Sequence, residues 1–154
     1  MRYKGQCYCG SIHFEVKGDP LFTQHCHCRK CRTIASDSEN PLDKVGYSFT
    51  AAYLAENFKV TEGEDKLISI VRNNSCLYLC PQCRALIYGM SEDPDKQDGI
   101  GINVNNFQLA EDIPAGFRPV RHIWYQNRIV DINDELPKFN DAPKEQFGTG
   151  KLFQ

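Results

Sequence analysis

The stretch Cys7-Tyr8-Cys9-Gly10-Ser11-Ile12-His13-Phe14-Glu15-Val16 combines a pair of cysteines with alternating apolar residues. The apolar side chains at positions 12, 14 and 16 are separated by polar ones, which is the period-two pattern of a half-buried β-strand. We therefore predict one strand from Gln6 to Val16. Because side chains alternate along a strand, Cys7 and Cys9 would point to the same face and form half of a metal site.

The matching half-site is the C-x-x-C turn Cys80-Pro81-Gln82-Cys83. Such a turn places two sulfurs close enough to share one tetrahedral ion. Cys76–Leu79 enters this turn and Ala85–Met90 leaves it, both predicted as strands, which is the layout of a zinc-ribbon knuckle. A closed site with four thiolates is structural, and zinc in it would contribute on the order of 10 kcal/mol to folding. The four predicted ligands of this structural zinc are Cys7, Cys9, Cys80 and Cys83.

Three further cysteines fall within the short segment Cys26-His27-Cys28-Arg29-Lys30-Cys31. Three sulfurs this close in sequence can all reach one ion, whereas a closed zinc site takes four protein ligands. A zinc ion with only three protein ligands keeps a position for water or substrate, which is the form of a catalytic site. We therefore predict two zinc ions per chain, the second of them catalytic and held by Cys26, Cys28 and Cys31.

The fourth ligand of this second zinc has several candidates in the sequence. His25 and His27 are adjacent to the cysteines, but in an extended segment both would point away from the sulfurs. Cys76, the one cysteine outside the clusters, is a rival ligand or else a small buried hydrophobe. The remaining option is an external ligand, either water or a substrate thiol.

The rest of the chain predicts a mostly β fold with little helix, because short alternating segments are separated by frequent turns. Residues 33–45 and Ser91–Asp98 are polar and aperiodic, and we predict loops there. His13 and His122 are predicted to lie on strand faces rather than to bind metal. Further strands are predicted over Leu21–His25, Gly46–Leu54, Asn57–Thr61, Lys66–Arg72, Gly99–Val104, Val120–Tyr125 and Arg128–Ile132.

Composition limits the class of protein. A chain of 154 residues with no evident linker is predicted to be one domain, residues 1–154. The net charge of −2 disfavours general nucleic-acid binding, which depends on neutralising phosphates. No apolar run suggests a signal peptide or a membrane span, so we expect a cytoplasmic protein. In that reducing compartment, clustered cysteines are more often metal ligands than disulfides.

Four motifs occur in a fixed order along the chain. They are Gly5-x-Cys7-x-Cys9-Gly10-x-Ile12-x-Phe14, His25-Cys26-x-Cys28-x-x-Cys31-Arg32, Cys80-x-x-Cys83 and Pro119-x-x-His122-Ile123-Trp124. This arrangement resembles the glutathione-dependent formaldehyde-activating enzyme family, to which centromere protein V is distantly related. The resemblance implies a β-tent-like fold of short antiparallel strands with zinc knuckles. It also implies the same division of the cysteines into a structural and a second zinc site.

The resemblance further implies chemistry on glutathione and S-hydroxymethylglutathione. We therefore expect a zinc-dependent carbon–sulfur lyase-type enzyme whose partner is a small-molecule thiol. The alternative is a non-enzymatic zinc-binding scaffold or interaction module, which a fourth protein ligand on the second zinc would favour. Arg84 departs from the family pattern, since glycine usually follows the second C-x-x-C pair. The oligomeric state and any general acid or base stay open.

Overall fold

The computed structural model describes residues 1–154, and its regular structure is mostly β-strand, which confirms the predicted fold class. It contains one α-helix, α1 (Arg29–Asp37), and several short 3-10 turns. The strands, numbered along the chain, are β1 (Arg2–Gln6), β2 (His13–Lys17), β3 (Phe22–Cys26), β4 (Ser48–Leu54), β5 (Phe58–Glu62), β6 (Ile68–Arg72), β7 (Ser75–Leu79), β8 (Leu86–Ser91), β9 (Gly99–Asn103) and β10 (His122–Ile123). No helix has both the length and the apolar character needed to cross a membrane.

The strands form two sheets. The smaller sheet has three strands in the order β1-β2-β5, and the larger has seven in the order β10-β3-β4-β9-β8-β7-β6. All pairs are antiparallel except β10 and β3, which run parallel with His122 opposite His25 and Ile123 opposite Cys26. This exception joins the C-terminal third of the chain to the segment that carries the three-cysteine cluster.

The two faces of the larger sheet have different roles. Ala51, Tyr53 and Ile102 from its middle strands belong to the main core, together with Phe14 from the smaller sheet. The Phe14 and Phe107 rings meet edge to face with centroids 5.1 Å apart, a favourable aromatic arrangement. Side chains that alternate with these core residues point to the other face, where α1 covers the sheet and leaves a cavity.

Four local predictions were wrong. Of the predicted strand Val120–Tyr125 only His122–Ile123 is a strand, because Trp124 has a φ of +55° and ends the extended run. The predicted strand from Gln6 to Val16 is two strands, and Cys7 and Cys9 lie in the hairpin turn between them. Gly10 ends the extended run because its φ is +82° and its N–H donates to the Cys7 carbonyl at 3.0 Å. The first part of the predicted 33–45 loop belongs to α1, and the predicted strand Arg128–Ile132 is irregular.

Helix α1 was not predicted from the sequence, because it has almost no apolar face. Ile34 is its single buried residue, so the helical periodicity of hydrophobic residues is missing. Its N-cap is Cys28, whose sulfur accepts a hydrogen bond from the Cys31 N–H, and cysteine is not a usual capping residue. The irregular segment 128–132 is held by side chains instead of a strand partner, with Arg128 Nε 2.6 Å from Asp131 Oδ1.

Arg84 occupies a backbone conformation that favours glycine. Its φ is +65°, and its N–H donates to the Cys80 carbonyl at 2.9 Å, closing the cysteine turn. The left-handed conformation costs a non-glycine residue roughly 1 kcal/mol or more. Glycine at this position would remove that strain.

We expect Arg84→Gly to raise the free energy of unfolding by about 0.5–1 kcal/mol, since relief of strain exceeds the added entropy of the unfolded chain. Denaturant unfolding of the metal-loaded protein measures the change. Arg72→Gly is the matched control, because Arg72 is also exposed but lies in β6 with ordinary strand geometry. That control is expected to lose stability, and an equal loss in both variants would contradict the strain argument.

Candidate metal centres

The first cluster joins two turns that are far apart in sequence. Cys7 and Cys9 lie in the turn after β1, and Cys80 and Cys83 lie in the turn between β7 and β8. The four Sγ atoms all lie within 4.8 Å of one another. The Sγ of Cys9 is 3.6 Å from that of Cys7 and 3.6 Å from that of Cys80. Sulfurs around a tetrahedral zinc are about 3.8 Å apart for bonds of about 2.3 Å, so this cluster fits the ion.

The burial of the first cluster means that its cysteines can be deprotonated together only if they bind a cation. Cys7, Cys80 and Cys83 are almost fully buried. Burial raises the pKa of the Cys83 thiol to about 12, so a bare thiolate there would be costly without a metal. Burial also raises the pKa of Cys9, but hydrogen bonds from Ser11 outweigh it and lower the value to about 6. Ser11 Oγ lies 3.1 Å from Cys9 Sγ and 3.2 Å from Cys80 Sγ.

The second cluster is local in sequence. Cys26 ends β3, Cys28 caps α1, and Cys31 lies in the first turn of that helix. Their three Sγ atoms also lie within 4.8 Å of one another. Hydrogen bonds from Cys26 and Cys31 lower the pKa of Cys28 to about 2, while hydrogen bonds with Cys28 and Cys31, together with burial, raise the pKa of Cys26. The cluster therefore carries a thiolate readily, which is the protonation state that binds a soft metal.

No fourth protein ligand accompanies these three sulfurs. No histidine, carboxylate or further cysteine lies within the same distance of all three. His27 is turned toward the C-terminal segment, where its Nε2 lies 2.9 Å from His122 Nδ1. Cys76 lies in β7, opposite Val71 on one side and Met90 on the other. Each cluster could hold one metal ion, and only the second would leave the ion a position free of protein ligands.

A chain of hydrogen bonds runs from the buried pair His27–His122, next to the second cluster, to Asp134 and Lys138 at the surface. His122 Nε2 lies 2.8 Å from Asp134 Oδ2, and Asp134 Oδ1 accepts from Lys138 Nζ at 2.8 Å. Burial lowers the pKa values of His25 and His27 to about 4, so both imidazoles are neutral at pH 7. His122 is thus a strand-face residue, as predicted, and it fixes the orientation of His27 between two cysteines. Sequence reasoning missed Asp134, because nothing in its local sequence marks it as the partner of a histidine.

A cavity of about 430 Å³ opens beside the second cluster, between α1 and the larger sheet. Cys26 and Cys31 form part of its wall, next to Tyr47 and Ser48. The Ser48 hydroxyl is buried without a hydrogen-bond partner. Lys30 brings a positive charge to the wall and donates to Ser75 Oγ at 3.2 Å. The volume is within the range of small-molecule sites, roughly 300–1,000 Å³.

The sequence model of the glutathione-dependent formaldehyde-activating enzyme family matches residues 2–127. The chain belongs to this family. The match includes both cysteine clusters and His122, and it ends shortly before Asp134 and Lys138. Membership associates the chain with enzymes that activate formaldehyde and with glutathione.

Among solved structures, the chain is similar to a Rhodobacter sphaeroides protein whose crystal structure was determined as a structural genomics target. The similarity has a TM-score of 0.55 at 19% identity and covers 77% of this chain and 98% of that one. At this identity, the likeness shows a shared fold. No curated protein matches the sequence.

Proposed function

We propose that this family member is a zinc-dependent carbon–sulfur lyase-type enzyme that acts on an adduct between a small thiol and an aldehyde. Cys7, Cys9, Cys80 and Cys83 would hold a structural zinc, and the second cluster would hold a catalytic one. The arrangement that carries the proposal is the three-sulfur cluster without a fourth protein ligand, two of whose members line a cavity. We also propose a reducing compartment such as the cytoplasm, since none of the eight cysteines is paired in a disulfide.

The donor set of the second cluster suits zinc, because three thiolates leave one tetrahedral position for an external ligand. Zinc bound by Cys26, Cys28 and Cys31 would supply a Lewis acid that lowers the pKa of a thiol in the cavity. The role of the protein is to hold the three sulfurs in a fixed arrangement. The hydrogen bond from Cys31 N–H to Cys28 Sγ, 3.4 Å long, and the His27–His122 contact do this.

In the direction of synthesis, the sulfur of the thiol attacks the carbonyl carbon of the aldehyde. One carbon–sulfur bond forms, the carbonyl π bond breaks, and the proton of the thiol ends on the former carbonyl oxygen. In the reverse direction the adduct returns to thiol and aldehyde.

Two lysines bring positive charge to the cavity wall, whereas the carboxylate of Asp43 on the same wall accepts hydrogen bonds from Ser38, Asn103 and Asn105. The lysines suit an acidic thiol such as glutathione. Lys30 lies in the first turn of α1, between Cys28 and Cys31, and Lys96 lies on the same cavity wall. An ammonium group near a carboxylate contributes more when the pair is partly shielded from water. Lys30 is half-buried, so we propose it as the main contact for a carboxylate of the thiol.

Cobalt substitution tests this function, because cobalt reports its coordination through thiolate charge-transfer and d–d bands. We expect glutathione to shift these bands in the wild-type protein, since the thiol would occupy the free position of the second metal. The matched control is Cys76→Ser, which removes the cysteine outside both clusters and is expected to respond like the wild type. A spectrum indifferent to every thiol tried would contradict an open site and would favour the scaffold alternative.

A further inference from the structure

His27, the residue between two cysteines of the second cluster, is held by both its backbone and its side chain. Its N–H donates to the Ile123 carbonyl at 3.0 Å, and its ring Nε2 lies 2.9 Å from His122 Nδ1. The residue is fully buried. Because a cysteine of the cluster lies on each side of His27 in the chain, the orientation of its ring constrains the backbone that carries two of the three sulfurs.

The Asp134 carboxylate determines where His122 carries a hydrogen. Oδ2 of Asp134 lies 2.8 Å from His122 Nε2, and an ionised carboxylate only accepts hydrogen bonds. Burial raises the pKa of Asp134, but hydrogen bonds from Lys138 and His122 outweigh it and lower the value to about 2. The carboxylate is therefore ionised near neutral pH, and His122 carries a hydrogen on Nε2.

The hydrogen position on His27 follows from its two ring nitrogens. The short distance between His27 Nε2 and His122 Nδ1 means that one hydrogen lies between these atoms. The other nitrogen, His27 Nδ1, is buried without a hydrogen-bond partner. A buried N–H without an acceptor is rare and costly in protein interiors. The hydrogen of the neutral His27 ring therefore lies on Nε2, and His122 Nδ1 accepts it.

The His27 ring also packs against the wall of the cavity. Tyr47, which lines the cavity, stacks on His27 with ring centroids 4.9 Å apart and an angle of 26° between the planes. His25 meets the same tyrosine edge to face, with centroids 5.0 Å apart. A rotation of the His27 ring would therefore disturb this wall as well as the backbone between the two cysteines.

Asp134 is fixed by its own part of the chain. Its Oδ1 accepts from Lys138 Nζ at 2.8 Å, and its backbone carbonyl accepts from the same lysine at 3.0 Å. Two backbone hydrogen bonds then join this segment to β10, from His122 N–H to the Pro137 carbonyl and from Phe139 N–H to the His122 carbonyl, both 2.9 Å long. The segment lies beyond residue 127, where the match to the family model ends.

We propose that Asp134 is a positioning residue for the second metal centre and acts through His122 and His27. Its carboxylate selects the Nε2-protonated form of His122, which selects the same form of His27 and holds that ring in one orientation. The inference rests on the proposed metal at the second cluster and is independent of the identity of the thiol and the aldehyde. Outer groups that orient metal ligands typically contribute about 10–100-fold to metal affinity. Asp134 lies further from the metal than such groups, so we expect the lower end of that range.

Nitrogen NMR of isotopically labelled histidine rings tests the hydrogen positions in the zinc-loaded protein. In the wild type we expect a hydrogen on Nε2 of both His122 and His27. Asp134→Ala removes the acceptor, so we expect each of these two rings to show a mixture of forms. Asp134→Glu keeps a carboxylate on a side chain that is one methylene longer, and it is expected to restore most of the wild-type pattern.

Competition with a zinc chelator measures the metal affinity of the second cluster, and Cys28→Ser identifies the zinc that belongs to the first. We expect Asp134→Ala to bind the second zinc at least about tenfold more weakly than the wild type, and Asp134→Glu to recover most of the loss. The Asp134 side chain is 32% exposed, so the alanine variant is expected to fold. Asp131→Ala is the matched control, because Asp131 lies in the same segment but pairs with Arg128 instead of a histidine.

The inference requires both results. A wild-type His27 ring with its hydrogen on Nδ1, or an Asp134→Ala protein that keeps either the wild-type ring pattern or the wild-type affinity, would overturn it. Equal weakening by Asp131→Ala, or equal weakening of both zinc sites by Asp134→Ala, would show general destabilisation and would also overturn it.

The cobalt experiment separates this inference from the proposed function. Cobalt bands that respond to no thiol, combined with a second metal weakened by Asp134→Ala, overturn the thiol chemistry and leave the positioning role standing. Bands that respond to glutathione, combined with an unchanged second site in Asp134→Ala, overturn the positioning role and leave the thiol chemistry standing.

Discussion

Cys80→Ser is expected to lower the free energy of unfolding of the metal-loaded protein by about 5 kcal/mol or more, enough to leave much of the chain unfolded. Cys80 is fully buried, and its sulfur contacts Cys9 from the turn between β1 and β2. Serine is a poor ligand for a soft metal, so the variant would lose the ion that joins the two sheets at this point. The remaining buried thiols would then have no cation to offset their burial.

Chemical denaturation followed by circular dichroism, with metal analysis of the same samples, measures this loss. Cys76→Ser is the matched control, since it changes another cysteine in the same hairpin that belongs to neither cluster. We expect the control to keep both metals and to lose no more than about 1–2 kcal/mol, the usual scale for one altered half-buried side chain. A Cys80→Ser protein as stable as this control would contradict a structural role for the first cluster.

Cys28→Ser is expected to lower the metal content from about two ions per chain to about one and to abolish turnover of thiol–aldehyde adducts, while the fold persists. The three sulfurs of the second cluster come from one short segment, so its metal does not join distant parts of the chain. The hydrogen bonds of His122 and the parallel pairing of β10 with β3 hold that segment independently of the metal. The fold therefore has a second means of keeping β3 in place.

Elemental analysis and thermal unfolding distinguish the two cysteine variants. We expect the melting temperature of Cys28→Ser to stay within several degrees of the wild type and that of Cys80→Ser to fall much further. The cobalt bands of Cys28→Ser should not change when glutathione is added. Equal destabilisation by both substitutions, or retention of two metals by Cys28→Ser, would contradict the division into a structural and a catalytic site.

The grouping of the cysteines was predictable from the sequence because it depends on local spacing. C-x-C and C-x-x-C pairs bring sulfurs together whatever the rest of the fold does, and the alternating apolar residues indicated the strands. The geometry of the first pair was not predictable in detail. A single glycine with positive φ, Gly10, moves Cys7 and Cys9 from a strand into a turn without separating their sulfurs.

The features that shape the cavity depend on long-range register and were therefore missed. Gly89 and Gly101 are unremarkable in sequence, and only the pairing of β8 with β9 places them opposite each other. Asp134 meets His122 only because the C-terminal segment folds back over β10. Helix α1 is short and mostly polar, so its existence depends on the cysteine knuckle before it and on the contact of Ile34 with the sheet hairpin.

The separation of the two cysteine clusters along the chain also sets the order in which a newly made protein can acquire its metals. The three-sulfur cluster is complete once residue 31 has left the ribosome, whereas the first cluster needs Cys80, which lies 71 residues beyond Cys9. At about 5–20 residues per second, translation adds the segment from residue 31 to residue 83 in roughly 3–10 s. During that interval the three-sulfur cluster has all three of its cysteines, while the first cluster has only Cys7 and Cys9, so in a cell short of zinc we expect the second cluster to be filled before the first.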